Sequence, residues 1–145
     1  MKSRKGILAL LVAVMALAGC GRTEKATLET YEKGEYRPET VTAFELTGAR
    51  DGATTHATAT YTLADGNHVR VELQVGYNPT PVLNEGHWYL DARQPEEGEV
   101  RAESVKFLGG QGSSPSVGGS FWLTRNGAPR FRAVIPAQPL PRAFH

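Results

Sequence analysis

Cysteine is almost absent from this chain, since only one of its 145 residues is a cysteine. A single cysteine excludes a disulfide framework and a zinc site built from several thiolates. The two methionines, Met1 and Met15, both lie in the first twenty residues. The remainder therefore lacks the thioether ligands expected of a periplasmic copper carrier. The formal net charge is +1, too small to favour nucleic acid as a partner, because nucleic-acid binding usually needs a strongly basic face.

Motifs of catalysis are lacking as well. The sequence has no Gly-x-Ser-x-Gly nucleophile elbow. The glycine-rich run 109–119 (GGQGSSPSVGG) lacks the Lys-Ser/Thr ending of a phosphate loop, and we interpret it as a flexible connection between strands. Glu96, Glu97 and Glu99 surround Gly98 and are interpreted as a solvated acidic turn rather than an acid–base pair. The sequence therefore predicts no enzyme, no catalytic residue and no cofactor.

Long hydrophobic runs are missing except near the N-terminus. Residues 7–18 form a run of twelve apolar residues behind Lys2, Arg4 and Lys5. At ~1.5 Å per helical residue this run is too short to span a ~30 Å bilayer core. A basic start, a short apolar core and small residues after it are the pattern of a secretory signal. We therefore assign residues 1–19 to a signal peptide.

The signal ends in Leu17, Ala18, Gly19 and Cys20. This run resembles the lipobox of bacterial lipoproteins, and the resemblance covers only the first twenty residues. It implies that the chain is cut before Cys20, that the Cys20 thiol is lipidated and that the new amino terminus is acylated, which would hold the protein on a lipid bilayer. Gly21 after the cysteine implies sorting to the outer membrane, on its periplasmic side. The alternatives are an ordinary cleaved signal and an uncleaved anchor.

The mature chain is predicted to have three parts. Residues 20–40 are polar and charged, and we interpret them as the lipidated cysteine and a tether, with room for one helical turn or a first edge strand. Residues 41–136 are predicted to form the folded domain. Residues 137–145 contain two of the last three prolines and are predicted to form a tail, because proline cannot continue far in a strand.

The predicted domain alternates between apolar and polar side chains. Residues 56–63 and 68–75 do so strictly, as half-buried strands do. The Ala-Asp-Gly segment at 64–66 predicts a three-residue hairpin loop that sets Tyr61 opposite Val69. Further alternating segments lie at 41–46, 87–93, 99–108, 120–125 and 130–136.

Details of these later segments predict a bulge near Ser104 and a two-residue Asn-Gly turn at 126–127. That turn would set Trp122 against Phe131. About seven strands over ~100 residues favour an all-β fold, an immunoglobulin-like antiparallel β-sandwich. A small β-barrel is the alternative.

The internal histidines are His56, His68 and His87. In the predicted hairpin, His56 and His68 lie near opposite ends, roughly 20 Å apart at ~3.3 Å per residue. One metal ion cannot bridge that distance, and so the sequence predicts no metal site.

Charge is distributed unevenly along the chain. Residues 20–103 hold eight basic and all fifteen acidic residues, whereas 104–145 hold five basic residues and no acidic one. Arginine beside aromatic residues is typical of contact surfaces. The candidate partner surface is therefore the last hairpin, with Trp122, Arg125, Arg130, Phe131 and Arg132. The alternative is that folding pairs these arginines with the acidic strands.

Together these patterns predict a membrane-anchored periplasmic lipoprotein that acts as a non-enzymatic binding or assembly module of the cell envelope. Its expected partners are the lipid bilayer, through acylated Cys20, and an envelope protein. One alternative function is a periplasmic carrier of a small ligand or a metal, using the histidines and the glycine-rich loop. Another is an envelope-anchored enzyme inhibitor that blocks its target with a loop.

Overall fold

The computed structural model describes residues 25–77, 80–108 and 115–140. The described residues form strands and turns, with no helix among them that is long and apolar enough to cross a membrane. The all-β prediction is confirmed. The nine strands are β1 (Thr27–Glu32), β2 (Glu35–Pro38), β3 (Val41–Asp51), β4 (Thr54–Leu63), β5 (His68–Tyr77), β6 (Pro81–Asp91), β7 (Glu96–Leu108), β8 (Ser116–Arg125) and β9 (Ala128–Pro139).

All nine strands belong to one antiparallel sheet in the order β2-β1-β9-β8-β7-β6-β5-β4-β3, curled into a half-barrel. The predicted sandwich of about seven strands had two sheets, and the structure has one. The reason lies in the connections, because each strand from β3 to β8 pairs with the next one along the chain. A continuous meander of this kind extends a single sheet and leaves no strand to start a second one.

The sheet curls because a short link joins its two edges. β2 ends at Pro38 and β3 begins at Val41, although these strands lie at opposite edges. Three residues of chain span at most about 11 Å, and so the edges must approach each other at this point. Within the link, the Glu39 N–H donates a 2.9 Å hydrogen bond to the Leu28 carbonyl on β1.

The inner face of the half-barrel is packed with side chains. Its largest members, Trp88, Tyr61 and Phe121, are all fully buried, with a relative exposure of 0%. The Tyr61 hydroxyl on β4 donates a 2.6 Å hydrogen bond to the Val134 carbonyl on β9. Since β4 and β9 are separated by four strands in the sheet, this bond crosses the interior. It ties the two sides of the curled sheet together.

The predicted β4–β5 hairpin is confirmed. Tyr61 lies opposite Val69, and the Gly66 N–H donates a 2.9 Å hydrogen bond to the Leu63 carbonyl. Gly66 has φ +91°, a left-handed conformation that glycine adopts without steric cost. The inward side chains of β4 and β5 consequently lie on one face, as the alternation predicted.

Two boundaries differ from the sequence prediction. β1 and β2 occupy residues that the sequence predicted to form a polar tether. The strand pattern was not recognised there because only two side chains of β1, Leu28 and Thr30, face the core. Two inward positions are too short a pattern to separate a strand from a polar linker. At the other end, β9 continues to Pro139 in the predicted tail, and Leu140 is buried. Pro136 is tolerated there because it lies beside a bulge.

The acidic turn predicted around Gly98 is instead the beginning of β7. Gly98 lies opposite Trp88 on β6, and the Trp88 indole N–H donates a 2.8 Å hydrogen bond to the Thr124 carbonyl. A Cβ atom on Gly98 would meet this carbonyl and would lie 2.6 Å from the indole nitrogen. Because Gly98 has no side chain, the Trp88 indole has room to reach the Thr124 carbonyl. The bulge predicted near Ser104 is confirmed, since the β7–β8 register shifts between Ala102 and Ser104.

Candidate interaction surface

The register of the last hairpin decides which side chains face outward. Asn126 (φ 54°) and Gly127 (φ 84°) form the predicted two-residue turn, closed by the pair of Arg125 and Ala128. A register shift follows, however, because Thr124 pairs with Pro129 while Leu123 pairs with Phe131. Arg130 is the extra residue of this bulge.

The bulge corrects the predicted pairing of Trp122. Trp122 lies opposite Arg132, not Phe131. Phe131 faces the core instead, where its ring lies edge-on to Trp88 with centroids 5.3 Å apart. Trp122 and Phe131 therefore lie on opposite faces of the sheet. The outer face carries Trp122 and Arg132 side by side.

Two tyrosines complete this outer cluster. The ring of Tyr36 on β2 lies 5.4 Å from that of Trp122 and 4.9 Å from that of Tyr31 on β1. The Arg132 guanidinium lies over the Trp122 indole, 5.2 Å from its centroid. We call Tyr31, Tyr36, Trp122 and Arg132 the aromatic patch. All four side chains are half-buried.

Sequence reasoning missed Tyr31 and Tyr36 because they lie in the predicted tether. The sequence does contain one signal for this hairpin, the Lys33-Gly34 pair. In the structure Lys33 (φ 48°) and Gly34 (φ 86°) both adopt left-handed conformations. Such a pair forms a two-residue hairpin turn, and Tyr31 lies opposite Tyr36 across it. A Lys-Gly pair between two tyrosines is a weaker signal than Asn-Gly, which marks the last hairpin.

Acidic residues pair with the arginine of the patch. The Arg132 guanidinium lies 2.9 Å from a Glu103 oxygen and 3.5 Å from a Glu29 oxygen. Glu29 is also the cross-strand neighbour of Arg132 on β1. These contacts agree with the alternative that folding pairs the basic hairpin with acidic strands. They also hold the guanidinium over the indole ring, which fixes the shape of the patch.

The remaining predicted arginines form a second cluster at the end of the sheet. The Arg130 guanidinium donates two hydrogen bonds to the Glu96 carboxylate, of 2.7 and 3.0 Å, and Arg125 lies 3.4 Å from the same group. The hydrogen bond from Arg130 is the main cause that lowers the pKa of Glu96 below its ordinary value. The same bond raises the pKa of Arg130. This pair joins β7 to β9 and has a structural role.

The Tyr36 hydroxyl is held in its protonated form. Partial burial is the largest cause that raises its pKa above the ordinary value of 10.0, with Tyr31 acting in the same direction and Arg132 against it. At neutral pH the patch therefore offers a neutral phenol that can donate and accept hydrogen bonds, beside a fixed cation.

The histidines do not form one cluster: His56 and His87 line the same outer cleft, and His68 lies apart from them. His56 lies opposite Gln74 near one end of the β4–β5 hairpin, and His68 lies opposite Thr62 near the other. His87 on β6 is 3.0 Å from Glu85. Within residues 25–77, 80–108 and 115–140, no group of three His, Cys, Asp or Glu side chains could hold a metal ion. His145 lies outside the described residues.

Comparison with other proteins gives no further guide to the site. No protein-family model, no curated protein and no solved structure matches the chain. The lipidation of Cys20 and residues 109–114 of the predicted flexible connection fall outside the described residues. The rest of that prediction is wrong, because residues 116–119 are the beginning of β8, where Val117 is fully buried. Function must therefore be argued from the lipobox resemblance and from the chemistry of the described surface.

Proposed function

We propose that this chain is a bacterial lipoprotein, anchored through Cys20 to the periplasmic side of the outer membrane, and that its half-barrel is a non-enzymatic binding or assembly module. The partner is another protein of the cell envelope. The aromatic patch is the contact surface. It keeps Trp122 and Arg132 from the surface that the sequence predicted and adds Tyr31 and Tyr36.

The composition of the patch carries the proposal. Tryptophan, tyrosine and arginine are the residue types enriched among those that dominate protein–protein binding energies. Here three rings and one guanidinium lie together on an outer face, drawn from β1, β2, β8 and β9. Partial burial leaves each ring with an accessible side for a partner.

The patch is also ordered before any partner arrives. Arg132 is held by Glu29 and Glu103, and Tyr36 packs against both of its aromatic neighbours. Immobilising a long side chain on binding costs about 0.5–1.5 kcal/mol. Side chains that are already fixed lose less freedom, and this favours binding.

The packed interior disfavours a carrier that encloses its ligand within the half-barrel. Ligand sites are clefts or cavities of several hundred Å³ lined by apolar side chains. The apolar side chains of the inner face, among them Trp88, Tyr61 and Phe121, contact one another instead. A ligand placed there would have to displace core side chains.

In-cell photo-crosslinking tests the proposal. A photoreactive phenylalanine analogue replaces Tyr31 or Tyr36 in the native host, and the matched control replaces Tyr89. Tyr89 is a half-buried tyrosine on the outer face of β6 that also stacks on an arginine, with Arg70 4.4 Å from its centroid. We expect Tyr31 and Tyr36 to give one recurrent crosslink to the same envelope protein, which Tyr89 does not give. Equal crosslinking at all three positions, or none at any of them, would contradict the proposed surface.

A further inference from the structure

The two ends of the half-barrel are distinguishable by the direction of the strands. Every neighbouring pair of strands is antiparallel, and so β4, β6 and β8 begin at one end, where β3, β5, β7 and β9 finish, while β1 starts part-way along the sheet and runs away from that end. We call this the proximal end. The distal end carries the loop at 64–66 and the turn at 126–127.

Exposed apolar side chains mark the proximal end. Among the described residues, the exposed large hydrophobic side chains are Tyr77, at 63%, and Val82, at 39%. Tyr77 ends β5 and lies opposite Pro81, and the neighbouring pair joins Gly76 to Val82. Tyr77 and Val82 therefore project from opposite faces of the sheet, but both lie at the same proximal edge, where β5 meets β6.

We propose that the proximal end rests on the lipid bilayer, with Tyr77 and Val82 in the membrane–water interface. This inference depends on the proposed lipid anchor at Cys20. It goes beyond that anchor, because lipidation alone would allow the domain to hang in any orientation.

The length of the chain between the anchor and the sheet favours this orientation. Cys20 precedes Thr27, the first residue of β1, by seven residues, which span at most about 24 Å. Thr27 lies opposite Val134, five residues before the proximal end of β9 at Pro139, or about 17 Å away. The chain enters β1 from the proximal side. The distal turn at 33–34 lies about six residues beyond Thr27, or about 20 Å away, so the chain would have to reverse its direction and cover a slightly longer distance to bring the distal end to the membrane.

The chemistry of the exposed pair fits a lipid interface. Tyrosine is enriched at membrane–water interfaces, because its ring is apolar and its hydroxyl can remain in water. Valine adds a small aliphatic surface that gains from burial among acyl chains. Two side chains of this size would bind a membrane weakly by themselves. A covalent anchor at Cys20, seven residues before β1, keeps the domain beside the bilayer and so raises the effective concentration of both side chains there. A weak contact can then set the orientation.

This orientation has a consequence for the aromatic patch. Tyr31 and Tyr36 lie next to the distal turn between β1 and β2. A domain that rests on its proximal end therefore turns the patch away from the lipid and toward the periplasm.

Single-cysteine labelling of the full-length, lipidated protein tests the inference. Lipidation blocks Cys20, and so Tyr77→Cys and Val82→Cys each provide one reactive thiol. Ala64→Cys and Ala128→Cys are the matched distal controls, since both alanines are exposed. Each protein carries a fluorophore and is reconstituted in vesicles of phosphatidylethanolamine and phosphatidylglycerol that contain a shallow nitroxide-labelled lipid. We expect labels at 77 and 82 to lose most of their emission and labels at 64 and 128 to keep theirs.

The outcomes separate the orientation from the anchor. Vesicles that carry the protein on flotation, with all four labels unquenched, would overturn the orientation and leave the anchor intact. Quenching at 64 or 128 but not at 77 or 82 would overturn it in favour of the reverse orientation. Protein that does not float with the vesicles, together with a free Cys20 thiol, would overturn both the anchor and the orientation.

Discussion

The Arg132 guanidinium lies over the indole ring of Trp122, its cross-strand neighbour, 5.2 Å from the ring centroid. This contact exists because one residue, Arg130, is inserted as a bulge in β9. Without the bulge Phe131 would lie opposite Trp122, and the outer face would lose its arginine. A single extra residue thus gives the domain its candidate contact surface, since a register shift of one residue reverses the face of every side chain beyond it.

Replacing Trp122 or Arg132 with alanine should weaken partner binding by more than it weakens the fold, since Arg132→Ala also removes the ion pairs with Glu29 and Glu103. Both side chains are half-buried on the outer face, and truncation of a residue that dominates an interface costs about 2 kcal/mol or more in binding. We expect the crosslink from position 36 to fall at least about tenfold, which corresponds to about 1.4 kcal/mol. Arg70→Ala, which removes the other stacked arginine, is the control. A crosslink that survives Trp122→Ala and Arg132→Ala would contradict the role of the patch.

Replacing Arg130 should instead destabilise the fold. Its two hydrogen bonds to Glu96 join β7 to β9, and hydrogen bonds to charged groups contribute about 1.5–3 kcal/mol when well shielded. Because the Arg130 side chain is 28% exposed, we expect a loss of about 1 kcal/mol in the free energy of unfolding. Urea denaturation of Arg130→Ala measures this loss, with Arg37→Ala as the control for an exposed arginine. An unchanged midpoint would show that the pair adds nothing to stability.

Acid should weaken the same pair. The fold lowers the pKa of Glu96, chiefly through the hydrogen bond from Arg130, and so the folded protein holds this carboxylate in its charged form more firmly than the unfolded chain does. The stability that results is present above the unfolded pKa, near 4.5, and is lost as the pH falls through the lower pKa of the folded state. Glu96→Gln should therefore flatten the fall of the melting temperature below about pH 4.5. The same slope in Glu96→Gln and in the unaltered chain would contradict the assignment, and Glu97→Gln is the matched control.

Gly98→Ala should be strongly destabilising. The added Cβ would meet the Thr124 carbonyl and the Trp88 indole nitrogen, in a part of the core where Trp88 is fully buried. Overpacking of this kind typically costs about 1–3 kcal/mol, and the loss of the indole hydrogen bond adds about 1 kcal/mol. Chemical denaturation gives the total, and near-ultraviolet circular dichroism reports whether Trp88 has moved. Glu97→Ala, at the adjacent exposed position, should leave both measurements nearly unchanged.

Tyr61→Phe isolates the hydrogen bond that crosses the half-barrel. The substitution keeps the ring, which lies 4.9 Å from that of Phe44, and removes only the donor to the Val134 carbonyl. The bond is part-buried, and a typical hydrogen bond within a protein contributes about 0.5–1.5 kcal/mol. A fall of this size in the free energy of unfolding would support a tie between β4 and β9. Tyr89→Phe on the outer face is the control, and equal effects of the two substitutions would contradict that role.

Local pattern predicted the centre of this fold well. Strict alternation located β4 and β5, and an Ala-Asp-Gly loop set the register of Tyr61 against Val69, because both signals act over a few neighbouring residues. The arrangement of strands into one sheet was not predictable in the same way. The arrangement depends on which strands come together across the fold. The short link from Pro38 to Val41 shows that the two edges of the sheet approach each other, but only once β2 is recognised as a strand.

The candidate surface was predicted in part. Charge and aromatic content pointed to the last hairpin, and Trp122 and Arg132 do lie on its outer face. The bulge at Arg130 was not visible in the sequence, because an alternating pattern does not show which single residue is left unpaired. Tyr31 and Tyr36 were missed since they reach the patch from strands distant in sequence and polar in composition.

The central claim is that this domain is held on a membrane by a lipidated Cys20, and the mass of the N-terminal peptide tests it most directly. The protein is isolated from its native host in detergent, digested and examined by mass spectrometry. We predict a peptide that begins at Cys20 and carries a diacylglyceryl group on the thiol and an acyl chain on the amino group. A peptide that retains residues before Cys20, or one with an unmodified thiol, would contradict the account.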